Sequence, residues 1–406
     1  MMRHVSRRLG STAAIAIAIT IAMGTATAIR ADDGSSDDQQ NAYVVTRLVS
    51  DLPGKANFQD PVLQNAWGVA FSPAGSPFWI ADNATGCSTL YDGTGLKNQN
   101  LQVSIPLPGG SVPPTACKTV NPNSPPNPTP AAPTGIIWNP SAALVVPNSV
   151  STANPKGIPA SFIFDTEDGT ISAWAMGLNP ATNAVIAFDN SASGAVYKGL
   201  AYGVNVHGFF LFATNFNAGT IDVFGLPSTP GGLLTTATTD GDFMDPDIPP
   251  HFAPFGIQNI NGDLFVTYAK QNAEKHDDVA GLGRGFVDVF DTNGHLLRRF
   301  ASRGTLNSPW GVARASFAFG RFSDDILIGN FGDGKINVFN SHGRFIDQLD
   351  KPNGKPLKID GLWTLTLGGG AASNPSTLYF TAGPNDEKDG LFGTITPVSN
   401  TDDRQQ

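Results

Sequence analysis

Polar side chains that could bind a ligand recur at one position in each of several similar segments of this chain, directly after a short β-rich run. Asp82 and Asn83 stand there in the first segment, and Asp165 and Glu167 in the second. The later segments place further polar residues in the matching loops and at their edges: Asn215, Lys270, His276, Asn330 and Asp333. Carboxylates, amides and basic groups orient ligands by hydrogen bonds and ionic contacts. These nine residues are therefore the candidate binding residues.

Four of the polar positions are also candidates for holding a metal ion. Carboxylate and amide oxygens are hard ligands suited to Ca²⁺ or another divalent cation. By residue type, the set would consist of Asn83, Glu167, Asn215 and Asn330. The alternative is structural, because Asn and Asp in such loops often bond nearby backbone amides. The sequence leaves both interpretations open.

No catalytic motif of strong specificity accompanies these residues. A Gly-x-Ser-x-Gly elbow, a His-Glu-x-x-His helix and a Cys-x-x-Cys pair are all missing from the sequence. The segment 240–247 holds four aspartates and is a second, weaker Ca²⁺ candidate, but it lacks the glycine and the terminal glutamate of a calcium loop. Whether the protein is an enzyme therefore stays open.

The elements that must position these residues are repeated six times. A glycine beside an apolar residue recurs every 50 to 67 residues, at Gly68, Gly135, Gly199, Gly256, Gly311 and Gly361. After each glycine come a β-rich run, a polar loop and a further strand. A period of this length that contains only strands predicts the blades of a propeller. The expected fold is an all-β, six-bladed β-propeller.

The two ends of the chain predict how this propeller closes. The sixth segment has three strands, and residues 43–49 offer the missing fourth. Pairing the N-terminal strand with the last blade removes the exposed edge that an incomplete blade would leave. Loops between second and third strands then converge on one mouth of the central channel, which we call the upper mouth; the face around it is the upper face. The long connection 239–254 is expected on this face.

The N-terminal residues predict export. Arg3, Arg7 and Arg8 precede an apolar stretch, and small residues end it at Ala28, as in a secretory signal peptide. An uncleaved membrane anchor is the alternative. The predicted organisation is a signal peptide (1–28), a disordered linker (29–40), the propeller (41–397) and a disordered tail (398–406). The exported protein would be periplasmic or extracellular, with no membrane span after cleavage.

Charge and cysteine content narrow the partners. The chain has a net charge of −9, and removing residues 1–28 takes away three arginines and no acids, which leaves −12. A chain this acidic repels phosphate backbones, so nucleic acid is not an expected partner. In an exported protein, Cys87 and Cys117 are expected to form a disulfide, the alternative being a thiol site. We expect a monomer that binds a small molecule or a protein.

The repeats resemble NHL-type propellers, on the segments Phe252-Ala-Pro254-Phe-Gly256-Ile257 and Ser308-Pro309-Trp310-Gly311-Val312. More specifically, the segments 65–70, 162–171 and 268–290 resemble a family of exported bacterial six-bladed propellers that has no established activity. This resemblance implies the fold and export, and no site. A fold-level analogy to gluconolactonases implies one metal ion in the channel.

Two functions are consistent with these observations. The first is an exported propeller that binds a ligand or protein partner through the loops at the upper mouth, without catalysis. The alternative is a divalent-metal-dependent hydrolase or lactonase of gluconolactonase-like type, with its ion in the channel.

Overall fold

The computed structural model describes residues 40–229 and 231–398. The signal peptide predicted over 1–28 lies outside the described residues, as do residues 29–39 of the predicted linker and 399–406 of the predicted tail. The described chain begins with two strands of the last blade, β1 (Tyr43–Ser50) and β2 (Phe58–Gln59). In each of the first five blades, the strands follow one another in chain order from the channel outward.

The first three blades have four strands each. Blade one consists of β3 (Ala66–Ala70), β4 (Phe78–Asp82), β5 (Cys87–Tyr91) and β6 (Val103–Ser104). Blade two consists of β7 (Pro133–Trp138), β8 (Phe162–Thr166), β9 (Thr170–Trp174) and β10 (Val185–Asp189). Blade three consists of β11 (Tyr197–Asn205), β12 (Gly208–Asn215), β13 (Thr220–Gly225) and β14 (Thr235–Thr236).

The last three blades repeat this order. Blade four consists of β15 (Phe252–Ile260), β16 (Asp263–Lys270), β17 (Gly285–Phe290) and β18 (Leu296–Ser302). Blade five consists of β19 (Pro309–Arg314), β20 (Ile326–Asn330), β21 (Ile336–Phe339) and β22 (Phe345–Gln348). Blade six begins with β23 (Leu362–Leu367), β24 (Leu378–Ala382) and β25 (Leu391–Pro397). The helical segments are single turns: Asn83–Thr85, Pro108–Gly110, Ser191–Ser193, Gly320–Phe322 and Pro384–Glu387.

The predicted six-bladed propeller and its closure are confirmed. Six separate sheets form, and neighbouring blades meet through their first strands, which line the channel. Strand β1 pairs antiparallel with β25, so the N-terminal strand completes blade six. The short strand β2, which the sequence did not predict, pairs parallel with β1 and extends this sheet to five strands.

Every inner strand has a β-bulge at the same place, and this explains the repeated glycines. The register of β15 on β16 shifts between Pro254 and Ile257, and the other five inner strands shift at the equivalent position. At this point the backbone of the next blade approaches closely. A Cβ on Gly256 would lie 2.3 Å from the carbonyl oxygen of Trp310. Only glycine fits there without displacing a neighbouring strand.

The sixth blade departs from the glycine pattern, and the sequence assignment there was wrong by three residues. Gly361 precedes β23, whereas the bulge of β23 lies between Leu362 and Leu365 and contains Thr364. The Thr364 hydroxyl donates a hydrogen bond to the carbonyl oxygen of Trp67 (2.8 Å). At the junction of the last blade with the first, a side chain therefore takes the place of the direct backbone approach.

The central channel has two tiers, one on each side of the bulges. Above them, aromatic side chains fill the channel and are nearly all fully buried: Trp67, Phe255, Trp310 and Trp363. The rings of Trp67 and Trp363 stack with their centroids 3.6 Å apart. Below the bulges lie six aliphatic side chains: Val69, Ile136, Leu200, Ile257, Val312 and Leu365. The aromatic tier closes the channel toward the upper mouth.

The predicted disulfide is confirmed. Cys87 in β5 and Cys117 in the proline-rich connection are bonded, with their Cα atoms 4.8 Å apart and a separation of 30 positions in sequence. Within residues 40–229 and 231–398, no helix has the length and apolar character required to cross a membrane.

The connection 239–254 between blades three and four was predicted on the upper face, but its first half lies on the lower face. Gly241 donates a backbone hydrogen bond to Asn293, and Phe243 donates one to Gly294, in the turn between β17 and β18. That turn lies on the lower face, opposite the upper mouth. The prediction for residues 240–243 was therefore wrong, because the last strand of blade three, β14, is only two residues long and the chain leaves it early.

Candidate functional site

A buried lysine lies at the centre of the upper mouth. Lys198 belongs to β11, at the position just before the glycine of the bulge, and only 2% of its surface is exposed. Its ammonium forms an ion pair with Glu167 Oε1 and lies 3.5 Å from Asp277 Oδ1. The ammonium also lies over the Trp67 ring, 5.2 Å from the centroid. These contacts give the buried charge both carboxylate and aromatic partners.

The carboxylates keep Lys198 protonated. Burial alone would lower the pKa of the ammonium, but Glu167, Asp277 and Glu387 outweigh burial and raise its pKa above the usual 10.5. The backbone at this point is also fixed, because Trp310 Nε1 donates a hydrogen bond to the Lys198 carbonyl oxygen (2.8 Å). The site therefore contains a permanent, positioned positive charge.

Hydrogen bonds extend from this ion pair around the mouth. Asn83 Nδ2 donates to Glu167 Oε2 (2.9 Å), and Asn65 Nδ2 donates to Asn83 Oδ1 (3.2 Å). Asn65 Nδ2 also donates to Glu387 Oε2 (2.7 Å), while Asn65 Oδ1 accepts from Trp363 Nε1 (3.0 Å). We call this set the upper-mouth network: Asn65, Asn83, Glu167, Lys198, Asp277 and Glu387. Together with Trp310 and Trp363, it connects all six blades.

Two neighbouring residues form the exposed part of the site. The Asp277 side chain is 62% exposed and that of His276 is 46% exposed, and His276 Nδ1 lies 2.8 Å from Asp277 Oδ1. This hydrogen bond raises the pKa of His276 and lowers that of Asp277. At neutral pH the outer surface of the mouth therefore presents an ionised carboxylate.

Glu387 is the most perturbed carboxyl group of the network. Burial raises its pKa to about 7, and the negative charge of Glu167 adds to this effect. Lys198 and the hydrogen bond from Asn65 act in the opposite direction. Glu387 therefore titrates close to neutral pH.

A divalent cation competes poorly for this site. Ligand atoms of Glu167, His276 and Asp277 lie within 4.8 Å of one another, so this trio is a possible acidic metal site. However, the Lys198 ammonium already contacts the two carboxylates of the trio. Two unit charges of like sign 4 Å apart repel by about 4 kcal/mol at an effective dielectric constant of about 20, and a divalent ion doubles this. The donor set suits an ammonium better than a metal ion.

The metal set inferred from residue types does not converge. Asn83 and Glu167 meet in the upper-mouth network, but the Asn215 side chain bonds to β13 of its own blade and that of Asn330 bonds to the connection before β19. Asn215 Nδ2 donates to Asp222 (3.0 Å), and Asn330 Nδ2 donates to the Thr305 carbonyl oxygen (2.9 Å). Their amides hold the chain after the second strand of each blade, which was the structural alternative.

Of the remaining candidates, the three aspartates accept hydrogen bonds within the fold, and the lysine is half-buried at a strand end. Asp82 accepts a hydrogen bond from the Thr89 amide (3.0 Å), and Asp165 accepts one from the Thr134 hydroxyl (2.9 Å); both aspartates are fully buried. Asp333 accepts from Asn330 Nδ2 (3.0 Å). Lys270 is half-buried at the end of β16 and forms no ion pair with any residue that the structure describes.

The acidic segment 240–247 does not gather its carboxylates. Asp245 forms an ion pair with Arg299 in β18, whereas Asp240 lies 3.5 Å from His207 on the lower face. Since these two carboxylates contact different blades, they do not form the weaker calcium site that the sequence suggested.

Sequence reasoning missed Lys198 and Asn65. Asp277 and Glu387 lie in the predicted polar loops but were not among the nine candidates. The signal for Lys198 was its position: the residues directly before the six bulge positions are Trp67, Thr134, Lys198, Phe255, Trp310 and Trp363. All six belong to inner strands, which line the channel, so the one charged residue among them requires a buried partner. Asn65 directly precedes β3, and its position in the sequence gave no such signal. In the structure, its backbone has a positive φ of 48°.

The chain has relatives among viral proteins. Over 359 residues, it is 31% identical to the uncharacterized protein R648 of Acanthamoeba polyphaga mimivirus, an alignment that covers 87% of this chain and 80% of R648. It is 30% identical over 357 residues to the uncharacterized protein L690 of the same virus, covering 87% and 85%. This chain belongs to the family of these two proteins. No protein-family model matches it.

These relatives do not extend the resemblance to bacterial propellers. Because they are viral, the bacterial origin that the resemblance implied has no support among them. A third mimivirus protein, R640, is 35% identical over 246 residues, which cover 60% of this chain and 44% of R640. The NHL-like character of the repeats stays a prediction.

Solved structures give only distant similarities. A gluconolactonase from Xanthomonas campestris is 14% identical, with a TM-score of 0.44 over 82% of this chain and 87% of that one. A glucose dehydrogenase is 12% identical, with a TM-score of 0.48 over 86% and 98%. Regucalcin from Agrobacterium tumefaciens, a calcium-binding protein, is 11% identical, with a TM-score of 0.42 over 83% and 90%. These values carry no argument about activity.

Proposed function

We propose that the protein is an exported, monomeric, non-catalytic propeller that binds a ligand or a protein partner at its upper mouth. The partner would present cationic or hydrogen-bond-donating groups to the exposed carboxylate of Asp277 and its neighbours. The disulfide supports export, since such bonds persist in oxidising compartments. The net charge of −9 supports a partner of opposite sign.

The position of the Lys198 ammonium is central to this proposal. It lies between Glu167 and Asp277, where a catalytic metal would need to bind. Beneath it, the aromatic tier leaves no open space for a substrate, because Trp67 and Trp363 are each only 1% exposed. A closed mouth with a built-in cation is suited to recognition by its outer surface, rather than to enclosing a reaction.

A metal-dependent hydrolase or lactonase is the second candidate. It is favoured by the convergence of Glu167, His276 and Asp277. If a divalent cation displaced the ammonium, these side chains could hold it, and the ion would polarise a carbonyl oxygen or lower the pKa of a water molecule.

Binding measurements with charged ligands test the proposal. We expect immobilised protein lacking residues 1–28 to retain an oligolysine peptide and to release an oligoglutamate peptide of the same length at low salt. Asp277→Asn should weaken retention severalfold, whereas Asp263→Asn, the same change in a hairpin on the lower face, should not. Equal retention of both peptides, or no effect of Asp277→Asn, would contradict the proposal.

An activity screen distinguishes the second candidate. We expect no turnover of lactones or esters in Ca²⁺, Mg²⁺ or Mn²⁺. Turnover that Glu167→Gln abolishes and Glu274→Gln retains would establish the hydrolase instead.

A further inference from the structure

The lower mouth of the channel, unlike the upper mouth, is open. A cavity of about 590 Å³ lies there, on the lower side of the aliphatic tier. Its floor includes Ile136 and Leu200, and Phe71, Trp138 and Tyr202 belong to its wall. A concave cavity of this size, with a lining of both apolar and polar groups, is typical of small-molecule sites, which span roughly 300–1,000 Å³.

The absence of charge from this cavity is its most informative property. None of the described residues that line it is acidic or basic, although 15% of the chain is charged. The upper mouth, by contrast, contains one lysine and several carboxylates. A lining without charge favours a neutral ligand, because an ion would lose its hydration there without gaining a partner.

Exposed apolar side chains continue the cavity wall outward. Val204, at the end of β11, lines the cavity and is 62% exposed. Phe317 is 86% exposed and lines an adjoining cavity of about 600 Å³, which shares Gln258 and Thr366 with the first and also contains the ion pair of Arg314 and Asp324. Where exposed apolar surface is continuous with a cavity, it marks a ligand-binding groove.

Among the polar groups of the lining, the side-chain amide of Gln258 is placed to orient the ligand. Gln258 is exposed and lines both cavities, and its side-chain amide forms no hydrogen bond with any residue described in the structure. Its neighbour Asn259 is already engaged, since its Nδ2 donates to the Tyr202 carbonyl oxygen (2.8 Å). The Gln258 amide offers both a donor and an acceptor to a hydroxyl or carbonyl group.

From these features we infer that the lower mouth binds a neutral small molecule that has both an apolar part and a hydroxyl or carbonyl group. The closed aromatic tier makes the cavity a dead end, so the ligand enters and leaves on the lower face. This site is separate from the upper mouth and does not depend on the function proposed there.

Fluorescence titration with Nile red, a neutral apolar dye with a carbonyl group, tests this inference. We expect saturable binding, with dye emission shifted to shorter wavelength. Val204→Asp should weaken binding about tenfold, because it introduces a charge into the apolar wall. Val206→Asp is the matched control: Val206 lies in the same hairpin and is 91% exposed, but it does not line the cavity. It should change the affinity less than twofold.

Two further variants distinguish dye binding at the lower mouth from binding elsewhere on the surface. Gln258→Glu, nearly isosteric, should also weaken dye binding, and Asp277→Asn at the upper mouth should not. Circular dichroism confirms that each variant is folded. No saturable binding, equal effects of Val204→Asp and Val206→Asp, or loss of binding in Asp277→Asn would overturn the inference.

Discussion

At the scale of single residues, Lys198 decides what the upper mouth can do. Its side chain is 3% exposed, and that of Glu167 is 14% exposed. A buried ion pair of this kind contributes little net stability relative to an apolar pair, but removing one partner leaves an uncompensated charge. The effect of the ion pair on stability is therefore seen most clearly when one partner is removed and the other is kept.

Replacing Lys198 by Met should destabilise the fold by about 3–5 kcal/mol, because Glu167 would then be buried without a cation. Lys198→Met combined with Glu167→Gln should recover part of this loss. Urea unfolding followed by tryptophan fluorescence measures both. Lys270→Met, which removes a lysine that forms no ion pair with the described part of the chain, should change the free energy of unfolding by less than about 0.5 kcal/mol. Equal stabilities of Lys198→Met and Lys270→Met would contradict the buried ion pair.

Glu387 predicts a pH dependence of stability. Its pKa is raised from the usual 4.5 to about 7, so the folded state binds more protons than the unfolded chain between these values. The contribution of this group to stability therefore falls as the pH rises from about 4.5 to about 7. Glu387→Gln should make the decline shallower, by at most about 3 kcal/mol over this window.

Urea unfolding at pH 5, 6, 7 and 8 measures the effect of Glu387→Gln. Other buried carboxyl groups, such as Asp165 and Asp288, also have a pKa raised to about 7, so part of the decline should remain. The exposed Glu274→Gln should leave the profile unchanged. A profile for Glu387→Gln parallel to that of the wild type would rule out the proposed titration.

At the scale of secondary-structure elements, the bulges in the inner strands determine how closely the blades approach. The cost of a methyl group at each bulge should follow its clearance. A Cβ would lie 2.3 Å from the nearest atom at Gly256 but 3.2 Å from it at Gly199. Gly256→Ala should therefore destabilise the protein by about 1–3 kcal/mol, and Gly199→Ala by less.

Gly225→Ala is the control for these substitutions, because the nearest atom to its Cβ lies at 3.4 Å. It should be neutral or slightly stabilising, as an alanine restricts the unfolded chain more than a glycine does. Thermal melts rank the three variants. A larger loss for Gly199→Ala than for Gly256→Ala would show that clearance at the bulge does not set the cost.

The disulfide ties an irregular connection to blade one. Its loop of 30 residues predicts a stabilisation of about 3–4 kcal/mol on a chain-entropy estimate. The double variant Cys87→Ser, Cys117→Ser should melt at a lower temperature by a corresponding amount. Dithiothreitol should lower the melting temperature of the wild type and leave that of the double variant unchanged. A wild type insensitive to reduction would contradict this contribution.

The elements were more predictable than the site, for a physical reason. Strand periodicity and the glycine requirement at the bulges are local properties, and they located five of the six inner strands. The sixth failed because Gly361 lies close to the bulge while Thr364 occupies it. Side-chain direction is not a local property. Glu167, directly after β8, reaches Asn83 at the mouth, whereas Asn330, the last residue of β20, bonds Thr305 and Asp333 instead.

At the scale of the whole molecule, the channel separates two different surfaces. The upper mouth is charged and closed by the aromatic tier, whereas the cavity at the lower mouth is open and has no charged residue among the described residues that line it. The sequence placed polar loops on one face, but it offered no measure of the space inside the channel, because that depends on how six inner strands pack together. The two mouths differ because the side chains above the bulges are aromatic and fill the channel, whereas those below the bulges are aliphatic and leave a cavity.

The most direct test of the central claim is the metal content of the purified protein, measured together with its melting temperature in Ca²⁺ and in chelator. If the Lys198 ammonium replaces a metal ion at the upper mouth, the divalent metal that copurifies should stay at the background level, less than about 0.1 equivalent per chain. The two melting temperatures should then agree. The claim would be contradicted if one equivalent of metal per chain were bound, and if chelation and Glu167→Gln lowered the melting temperature equally.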